Sequence, residues 1–319
     1  MASTSTLKPS PNVVKLDSKH EEAESLFRIT LKRFFRHRMA VIGLVILGFV
    51  LAYVTVGSLF VSEAYSNDVE VTRRFEPPSA QHIFGTDEVG RDLFARTIYG
   101  GQISLAIGIF SVAISITIGT VVGLVSGYFG GWIDSILMRI VEALLAIPTL
   151  VLLILLQRSL IGNTATFAVF GRQISITVVA IVLIIGGFSW LGLSRIVRSM
   201  VLSLKEQEFV LAARVVGASD FRIIFGHILP NCVAPIFVSA TLGVGNAIVT
   251  ETALGFLGFG VQPPTATWGN ILSRAREIVD QVPWMWMAPG LLITLTVLSI
   301  NFIGDGLRDS LDPRSRKGS

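Results

Sequence analysis

The feature that most constrains this chain is a set of six apolar runs, each about as long as a membrane-crossing helix. Such a helix needs roughly 20 predominantly apolar residues. The predicted spans are 39–61, 103–125, 140–156, 174–193, 233–257 and 286–303. Only 15% of the residues are charged and 51% are hydrophobic, whereas a soluble domain carries about 25% charged residues. The sequence therefore predicts an all-α polytopic membrane protein with six transmembrane helices.

Lys and Arg residues are divided unequally between the two sides of this predicted bundle. About two thirds of the 26 lie in the N-terminal segment, the second and fourth connections and the C-terminal tail, which share one side. Positively charged connections stay preferentially in the cytoplasm. We therefore expect both termini to be cytoplasmic.

The remaining segments complete the predicted organisation around a membrane domain at 39–306. Residues 1–20 are rich in Ser, Thr, Pro and Lys and are predicted to be a disordered cytoplasmic segment. Residues 21–38 carry acids first, then bases, with apolar side chains on one face, which predicts an interfacial helix. An ordinary positively charged flank is the alternative. Residues 307–319 are predicted to be a cytoplasmic tail.

The connection at 62–101 is predicted to lie outside. Within it, Thr86 followed by acids predicts the start of a short surface helix, and Gly100-Gly101 predicts its end.

Several classes of site are disfavoured by the residue content. A single cysteine, Cys232, excludes an intramolecular disulfide and a cysteine-based metal cluster. The four histidines lack zinc-site spacing, and no phosphate-binding loop of the Gly-x-x-x-x-Gly-Lys-Ser/Thr type is present. No aromatic and basic platform for nucleic acid is visible. We therefore expect no catalytic residue, no metal site, no cofactor bound by this chain and no nucleic-acid partner.

One carboxylate falls deep within a predicted span. Glu251 has no basic residue within a helical turn, so it must face a polar cavity, meet a donor on another helix or be protonated. Glu251, Thr252 and Asn246 are candidates for lining or gating a path. A hydrogen bond to a neighbouring helix is the alternative for Glu251.

A polar segment, Glu208–Asn231, separates the fourth and fifth spans. Its composition predicts two short helices divided by Gly217, with small and apolar side chains exposed at Phe209, Val210, Ala213 and Ala218. Nothing else in the chain would cover these side chains, so they favour insertion into a groove on another protein. A hairpin resting on the membrane is the alternative.

The run AARVVGASDFRIIFGHILPN resembles the cytoplasmic EAA loop of ATP-binding-cassette (ABC) importer permeases. It differs from that loop in having Leu211 in place of Glu and His227 in place of the first Ile. The resemblance implies a cytoplasmic coupling loop at 195–232 that seats in a partner ATPase. The implied coupling residues are Glu208, Phe209, Val210, Ala212, Ala213, Arg214, Gly217, Ala218, Asp220, Leu229 and Pro230.

Four further segments narrow the resemblance. FGTDEVGRDLFARTIYGG, GYFGGWIDSILMRIVEALLAIP, ALGFLGFGVQPPTATWGNIL and the tail GDGLRDSLDPR resemble the second permease subunit of dipeptide and oligopeptide importers. That branch also includes permeases for nickel and glutathione. The resemblance implies a type I importer permease fold in a bacterial inner membrane, serving a binding-protein-dependent transport system.

The resemblance also implies partners. These are a homologous second permease, one or two cytoplasmic ATPases that bind ATP and magnesium, a solute-binding protein outside, and membrane lipid. On this interpretation the chain is not an enzyme, and its expected cargo is dipeptides or oligopeptides. Nickel and glutathione remain alternatives within the same class. An ATP-independent channel or a membrane scaffold is the alternative from another class.

Overall fold

A computed structural model describes residues 26–159, 162, 165–169 and 172–311, and these residues are predominantly helical. The helices are α1 Leu26–Arg36, α2 Arg38–Phe60, α3 Glu63–Asn67, α4 Leu93–Phe129, α5 Gly131–Leu145, α6 Thr149–Arg158, α7 Ile176–Leu204, α8 Glu208–Val215, α9 Asp220–Ile223, α10 Leu229–Phe256, α11 Trp268–Ala275 and α12 Trp284–Leu311. Short 3₁₀ turns occupy Val71–Arg73 and Arg276–Ile278, and a π-helical turn at Ile224–Ile228 joins α9 to α10. The predicted disordered segment 1–20 and the last residues of the predicted tail, 312–319, lie outside the described residues.

The predicted all-α polytopic fold is confirmed. Five helices are long and apolar enough to cross a membrane, and α5 with α6 makes a sixth span if this bent pair is counted as one. The bend is 78° and falls next to Pro148, the residue that precedes α6. Proline interrupts a helix because it lacks the amide donor and clashes with the preceding turn. Counted as one span, the pair of α5 and α6 is therefore bent sharply between its two helices.

The spans alternate in direction and place the described chain ends together. Phe34 and Ala40, near the start of α2, both contact Gly306 near the end of α12. We call this end of the bundle, which also carries α8, the α8 end, and the opposite end the α11 end. Near the end of α6, the Gln157 side chain donates to Gly260 O, which lies at the α11 end.

Helices α4 and α7 run parallel in close contact along a stripe of glycines. A Cβ atom would lie 3.0 Å from Trp190 O if added at Gly119 and 2.7 Å from Ser194 O if added at Gly123. At Gly127 it would lie 2.9 Å from a backbone oxygen of α7. Small residues let helix backbones approach closely in membranes. The end of α4 is therefore fixed firmly against α7.

The predicted surface helix starting at Thr86 is wrong. The helix begins at Leu93, where the Asp92 side chain accepts a hydrogen bond from Ala95 N at 2.8 Å. It then continues through Gly100 and Gly101. The last part of the predicted outside loop at 62–101, from Leu93 onward, therefore belongs to α4. The two glycines do not end the helix because they leave room for the backbone of Thr267 and the ring of Trp268.

Other boundaries also differ from the predicted spans. Helix α7 extends to Leu204, so the first ten residues of the predicted 195–232 loop belong to it, and α12 reaches Leu311. A hairpin precedes α7, in which β1 Thr166–Val169 pairs antiparallel with β2 Arg172–Ser175. The helical chain is continuous from Asp220 to Phe256. Pro230 therefore lies in the first turn of α10 rather than at a break, where a missing amide donor is tolerated.

Candidate functional site

The segment at 205–228, which we call the two-helix segment, is shaped by a left-handed turn at Gly217. Gly217 has φ +86°, a conformation that only glycine adopts without strain. The amide groups of Val216, Gly217 and Ala218 bond back to carbonyls of α8 at 3.0–3.1 Å, which satisfies the end of that helix. Ser219 then caps α9. The predicted division into two short helices at Gly217 matches this geometry.

One face of the two-helix segment is anchored in the bundle. Val210, Ile223 and Ile228 are fully buried in a cluster with Val197 and Val201 of α7. The prediction that Val210 is exposed is therefore wrong. Val210 lies three residues before Ala213 on the same helical face, and Ala213 packs, half-buried, against the same cluster. The amphipathic pattern did not indicate which face the bundle would cover.

The opposite face leaves large apolar side chains uncovered. Val215 and Val216 are each 88% exposed and Phe221 is 71% exposed. Phe209 and Phe225 are also exposed, and the rings of Phe221 and Phe225 lie 4.4 Å apart. An exposed apolar patch of this kind marks an interaction surface. Of the other predicted coupling residues, Glu208, Ala212, Arg214, Gly217, Asp220 and Pro230 are exposed, while Ala218 and Leu229 are half-buried.

Polar contacts tie the two-helix segment to the end of α4. The Tyr128 hydroxyl donates to Asp220 Oδ1 at 2.6 Å, and the Arg214 side chain approaches the same hydroxyl. Lys205 Nζ donates to Gly127 O at 3.2 Å. Sequence reasoning assigned Tyr128 no role, although it lies in the quoted motif beginning GYFGG.

A charged junction holds the same end of α4 to its neighbours. Arg198 of α7 makes a two-pronged ion pair with Asp134 of α5, with both N–O distances at 2.5 Å. Ser126 of α4 donates to the same carboxylate. Paired N–H donors of arginine match the geometry of a carboxylate. The last turn of α4, the first turn of α5 and the C-terminal part of α7 are thus joined next to the two-helix segment.

Glu251 lies at a junction of three helices rather than on a free surface. Its side chain is fully buried, and Ser104 of α4 donates to its Oε2 at 3.1 Å. Ser104 Oγ in turn accepts from the amide of Trp268 at the start of α11, at 3.2 Å. Of the alternatives for Glu251, the structure has the hydrogen bond to another helix. Sequence reasoning missed Ser104, whose only signal was its small size in an apolar run.

The three candidates for lining a path do not come together. Asn246 is exposed on α10 and Thr252 is half-buried, whereas Glu251 is buried inside the chain. Five residues along a helix turn the side chain by about 140°. Asn246 and Glu251 therefore face different directions, and a role in lining or gating the path remains a prediction for Asn246, Glu251 and Thr252.

The α11 end buries a group of charged side chains in the segment that precedes α4. Asp87 accepts from Arg91 Nε at 2.6 Å and from two backbone amides, and Arg96 Nε lies 3.8 Å away. His82 Nδ1 lies 2.7 Å from Asp92 Oδ2, the residue that caps α4. All five side chains are buried.

A second set of contacts joins the hairpin to the same end. Arg172 of β2 forms an ion pair with Glu63 of α3 at 2.7 Å and donates to Gln102 of α4 at 2.6 Å. Its guanidinium also lies over the Tyr99 ring, 5.0 Å from the centroid. Within the described ranges, no group of three His, Cys, Asp or Glu side chains is placed to hold a metal ion.

Comparison with known proteins gives two matching family models. Residues 119–317 match the model described as binding-protein-dependent transport system inner membrane component. Residues 25–78 match the model described as the N-terminal TM domain of oligopeptide transport permease C.

Relatives match along nearly the whole chain. The chain is 40% identical to the dipeptide transport system permease protein DppC of Alkalihalophilus pseudofirmus, covering 97% of this chain and 96% of the relative. It is 41% identical to the oligopeptide transport system permease protein OppC of Haemophilus influenzae, covering 95% and 93%. A putative peptide permease protein of Brucella suis is 44% identical over 89% of each chain.

Proposed function

Because this chain belongs to the family of inner membrane components of binding-protein-dependent transport systems, we propose that it is a permease subunit of an ATP-driven importer of dipeptides or oligopeptides. It is a multi-pass membrane protein with the helical content that a permease requires. The cargo assignment is supported by two relatives at about 40% identity, one named as a dipeptide permease and the other as an oligopeptide permease. Coverage above nine tenths of both chains supports a role for the whole protein rather than for one domain.

The observation that carries this proposal is the two-faced character of the two-helix segment. Val210 and Ile223 anchor it in the bundle, while Val215 and Val216 project with 88% of their surfaces exposed. A rigidly anchored helix with exposed apolar side chains fits a groove on a second protein. In an importer of this family, that protein is the ATPase.

The partners follow from the same assignment. A second permease of similar fold completes the path, and a solute-binding protein docks at the α11 end. One or two ATPases bind ATP and magnesium, and an ATPase receives the two-helix segment. ATP hydrolysis belongs to the ATPases, so this chain is not itself an enzyme.

The orientation is part of the proposal. The α8 end carries α1 with its basic side chains, Arg195 and Arg198 on α7, and Arg308 on α12. Positive charge beside the spans favours the cytoplasmic side of a bacterial inner membrane. Both termini and the two-helix segment are therefore cytoplasmic, and the α11 end faces outward.

Purification of the tagged chain from its native membrane in mild detergent, followed by mass spectrometry, tests the assignment. We expect recovery of a second permease, one or two ATPases and a solute-binding protein. The Val216→Asp variant places a charge on the exposed apolar face and should recover about tenfold less ATPase, while keeping the second permease. Ser135→Asp adds the same charge at an exposed position of α5 at the same end and should recover the full set.

Other outcomes would decide against the proposal. Recovery of the unsubstituted chain alone, or only as a homo-oligomer without an ATPase, favours an ATP-independent channel or a scaffold. Mass spectrometry of what the recovered binding protein holds identifies the cargo. Peptides support the proposal, whereas nickel or glutathione keeps the importer but replaces its cargo.

A further inference from the structure

Helix α4 connects the two ends of the molecule. It has 37 residues, which at 1.5 Å per residue is about 55 Å, longer than the hydrocarbon core of a bilayer. At its start, Asp92 caps the helix and belongs to the buried charged group of the α11 end. At its last turns, Tyr128 meets the two-helix segment.

The contact between Tyr128 and the two-helix segment combines packing with a directed hydrogen bond. The Tyr128 ring is buried in the cluster that also contains Val210 and Ile223. Its hydroxyl donates at 2.6 Å to Asp220, which lies in the first turn of α9. A hydrogen bond to a carboxylate is shorter and stronger than one between neutral groups, and it fixes direction as well as distance. Packing alone lets two surfaces slide, whereas this bond sets the register of α9 on α4.

The contacts around Tyr128 connect the end of α4 to the rest of the bundle, so a displacement of α9 would reach α7 as well. Ser126, half a turn earlier on α4, is bonded to Asp134, which is held by Arg198 of α7. Gly123 and Gly127 keep the α4 backbone in contact with α7 at the same level. The end of α4 therefore moves with α7 as a unit rather than bending locally.

We propose that Tyr128 is a positioning residue for transport: its hydroxyl bond to Asp220 passes movement between the ATPase-bound two-helix segment and α4. This inference rests on the proposed function, since it requires an ATPase at the two-helix segment. Arrival of the binding protein at the α11 end displaces α4, and Tyr128 transmits the displacement to the ATPase. Tyr128 acts through Asp220 and touches neither cargo nor nucleotide.

Tyr128→Phe tests the proposal because it keeps the ring and removes only the hydroxyl. The measurement is ATP hydrolysis by the purified complex in lipid nanodiscs, with and without the binding protein that copurifies with the unsubstituted chain. We expect the basal rate to stay unchanged and the stimulation by the binding protein to fall about fivefold, the effect of one lost hydrogen bond. A purely structural role would lower both rates together and leave their ratio unchanged, which would overturn the proposal.

The chain provides a matched control on the same helix. Tyr99 is as buried as Tyr128, and its hydroxyl donates to Val61 O at 2.7 Å near the other end of α4. Tyr99→Phe removes the same atom and should leave the stimulation ratio unchanged. Asp220→Asn keeps an oxygen acceptor and should retain more stimulation than Asp220→Ala. Adding Tyr128→Phe to Asp220→Ala should cause no further loss of stimulation, because the two substitutions remove the same hydrogen bond.

The two proposals fail in different ways. If the unsubstituted chain recovers no ATPase, the proposed function fails and the inference fails with it. If Val216→Asp loses the ATPase but Tyr128→Phe keeps the full stimulation ratio, the role of Tyr128 is wrong and the proposed function stands. An equal loss of stimulation in Tyr99→Phe also contradicts a specific role for Tyr128.

Discussion

At the α11 end this chain buries charged and polar side chains against one another, whereas at the α8 end it buries one apolar face and exposes another. Asp87 and Arg91 at the α11 end are buried and paired with each other. Val215 and Val216 at the α8 end project from the bundle. One end pairs its buried charges within the chain, while the other presents apolar surface that a second protein can cover.

The physical basis of this difference is the cost of separating each kind of contact. A buried ion pair that loses one partner leaves an uncompensated charge, so such a group holds a single arrangement. Apolar contacts carry no directional requirement and can be exchanged for similar contacts on another surface. The α11 end is thus suited to holding α4 and α11 in fixed positions relative to each other. The α8 end is suited to docking, with Tyr128 adding direction to a contact that packing alone would leave free.

The strongest test of this contrast is removal of a buried charge at the α11 end. Asp87→Ala leaves Arg91 and Arg96 without their buried carboxylate, and we expect a loss of about 3 to 5 kcal/mol in the free energy of unfolding. The measurement is the thermal unfolding midpoint of the purified chain in detergent. Glu277→Ala, at an exposed position of the same end, is the control and should change stability by less than about 0.5 kcal/mol. Equal midpoints for the two variants would mean that the charged group does not hold this end together.

A smaller effect is expected at the junction of α4, α10 and α11. Glu251→Ala removes the acceptor for Ser104 and should cost up to about 3 kcal/mol, because a buried hydroxyl loses its partner. Glu251→Gln keeps an acceptor oxygen and nearly the same volume, so it should retain most of the stability. Both are measured by thermal unfolding and by uptake of radiolabelled trialanine in proteoliposomes.

The same pair of variants separates a structural role for Glu251 from a role in the path. If Glu251 serves the junction, the glutamine variant keeps both stability and uptake. Loss of uptake in a glutamine variant of normal stability would show that the carboxylate charge itself is needed for transport. That result would support the path-lining role predicted for Glu251 and remove this residue from the comparison between the two ends.

Much of the fold could be predicted from the sequence because lipid imposes a simple rule on composition. A run such as 39–61 must be helical since its backbone groups have no other partners in a membrane. Helix ends were less predictable. Gly100 and Gly101 suggested a stop, but they lie inside α4 because Trp268, far away in the chain, packs on them. Local signals cannot include a contact of that kind.

The candidate site was predictable in position but not in detail. The helix break at Gly217 followed from local chemistry, and the structure has it at that residue. The buried state of Val210 and the bond between Tyr128 and Asp220 depend on how the two-helix segment rests on α4 and α7. The bond between Tyr128 and Asp220 joins residues 92 positions apart, which no spacing in a single sequence reveals.

The smallest expected effect compares two glycines of the α8 end that both have open space around them. A Cβ added at Gly217 or at Gly226 would meet no atom within 4 Å. Gly217 has φ +86°, whereas Gly226 lies in the π-helical turn and has no positive φ. Alanine at Gly217 should therefore lower the local stability of the two-helix segment by about 1 kcal/mol through backbone strain alone. Alanine at Gly226 should raise this stability by up to about 1 kcal/mol, because it reduces the conformational freedom of the unfolded chain.

Hydrogen exchange of the α8 amides measures this difference, since a local change in the two-helix segment need not shift the global unfolding midpoint. Exchange in α8 should be faster in Gly217→Ala than in the unsubstituted chain and no faster in Gly226→Ala. Equal exchange in both variants would mean that the left-handed turn does not set the shape of the segment. The buried contacts of Val210 and Tyr128 would then have to hold α8 by themselves. The α8 end would in that case resemble the α11 end, where contacts between distant residues fix the structure, and the contrast between the two ends would be weakened.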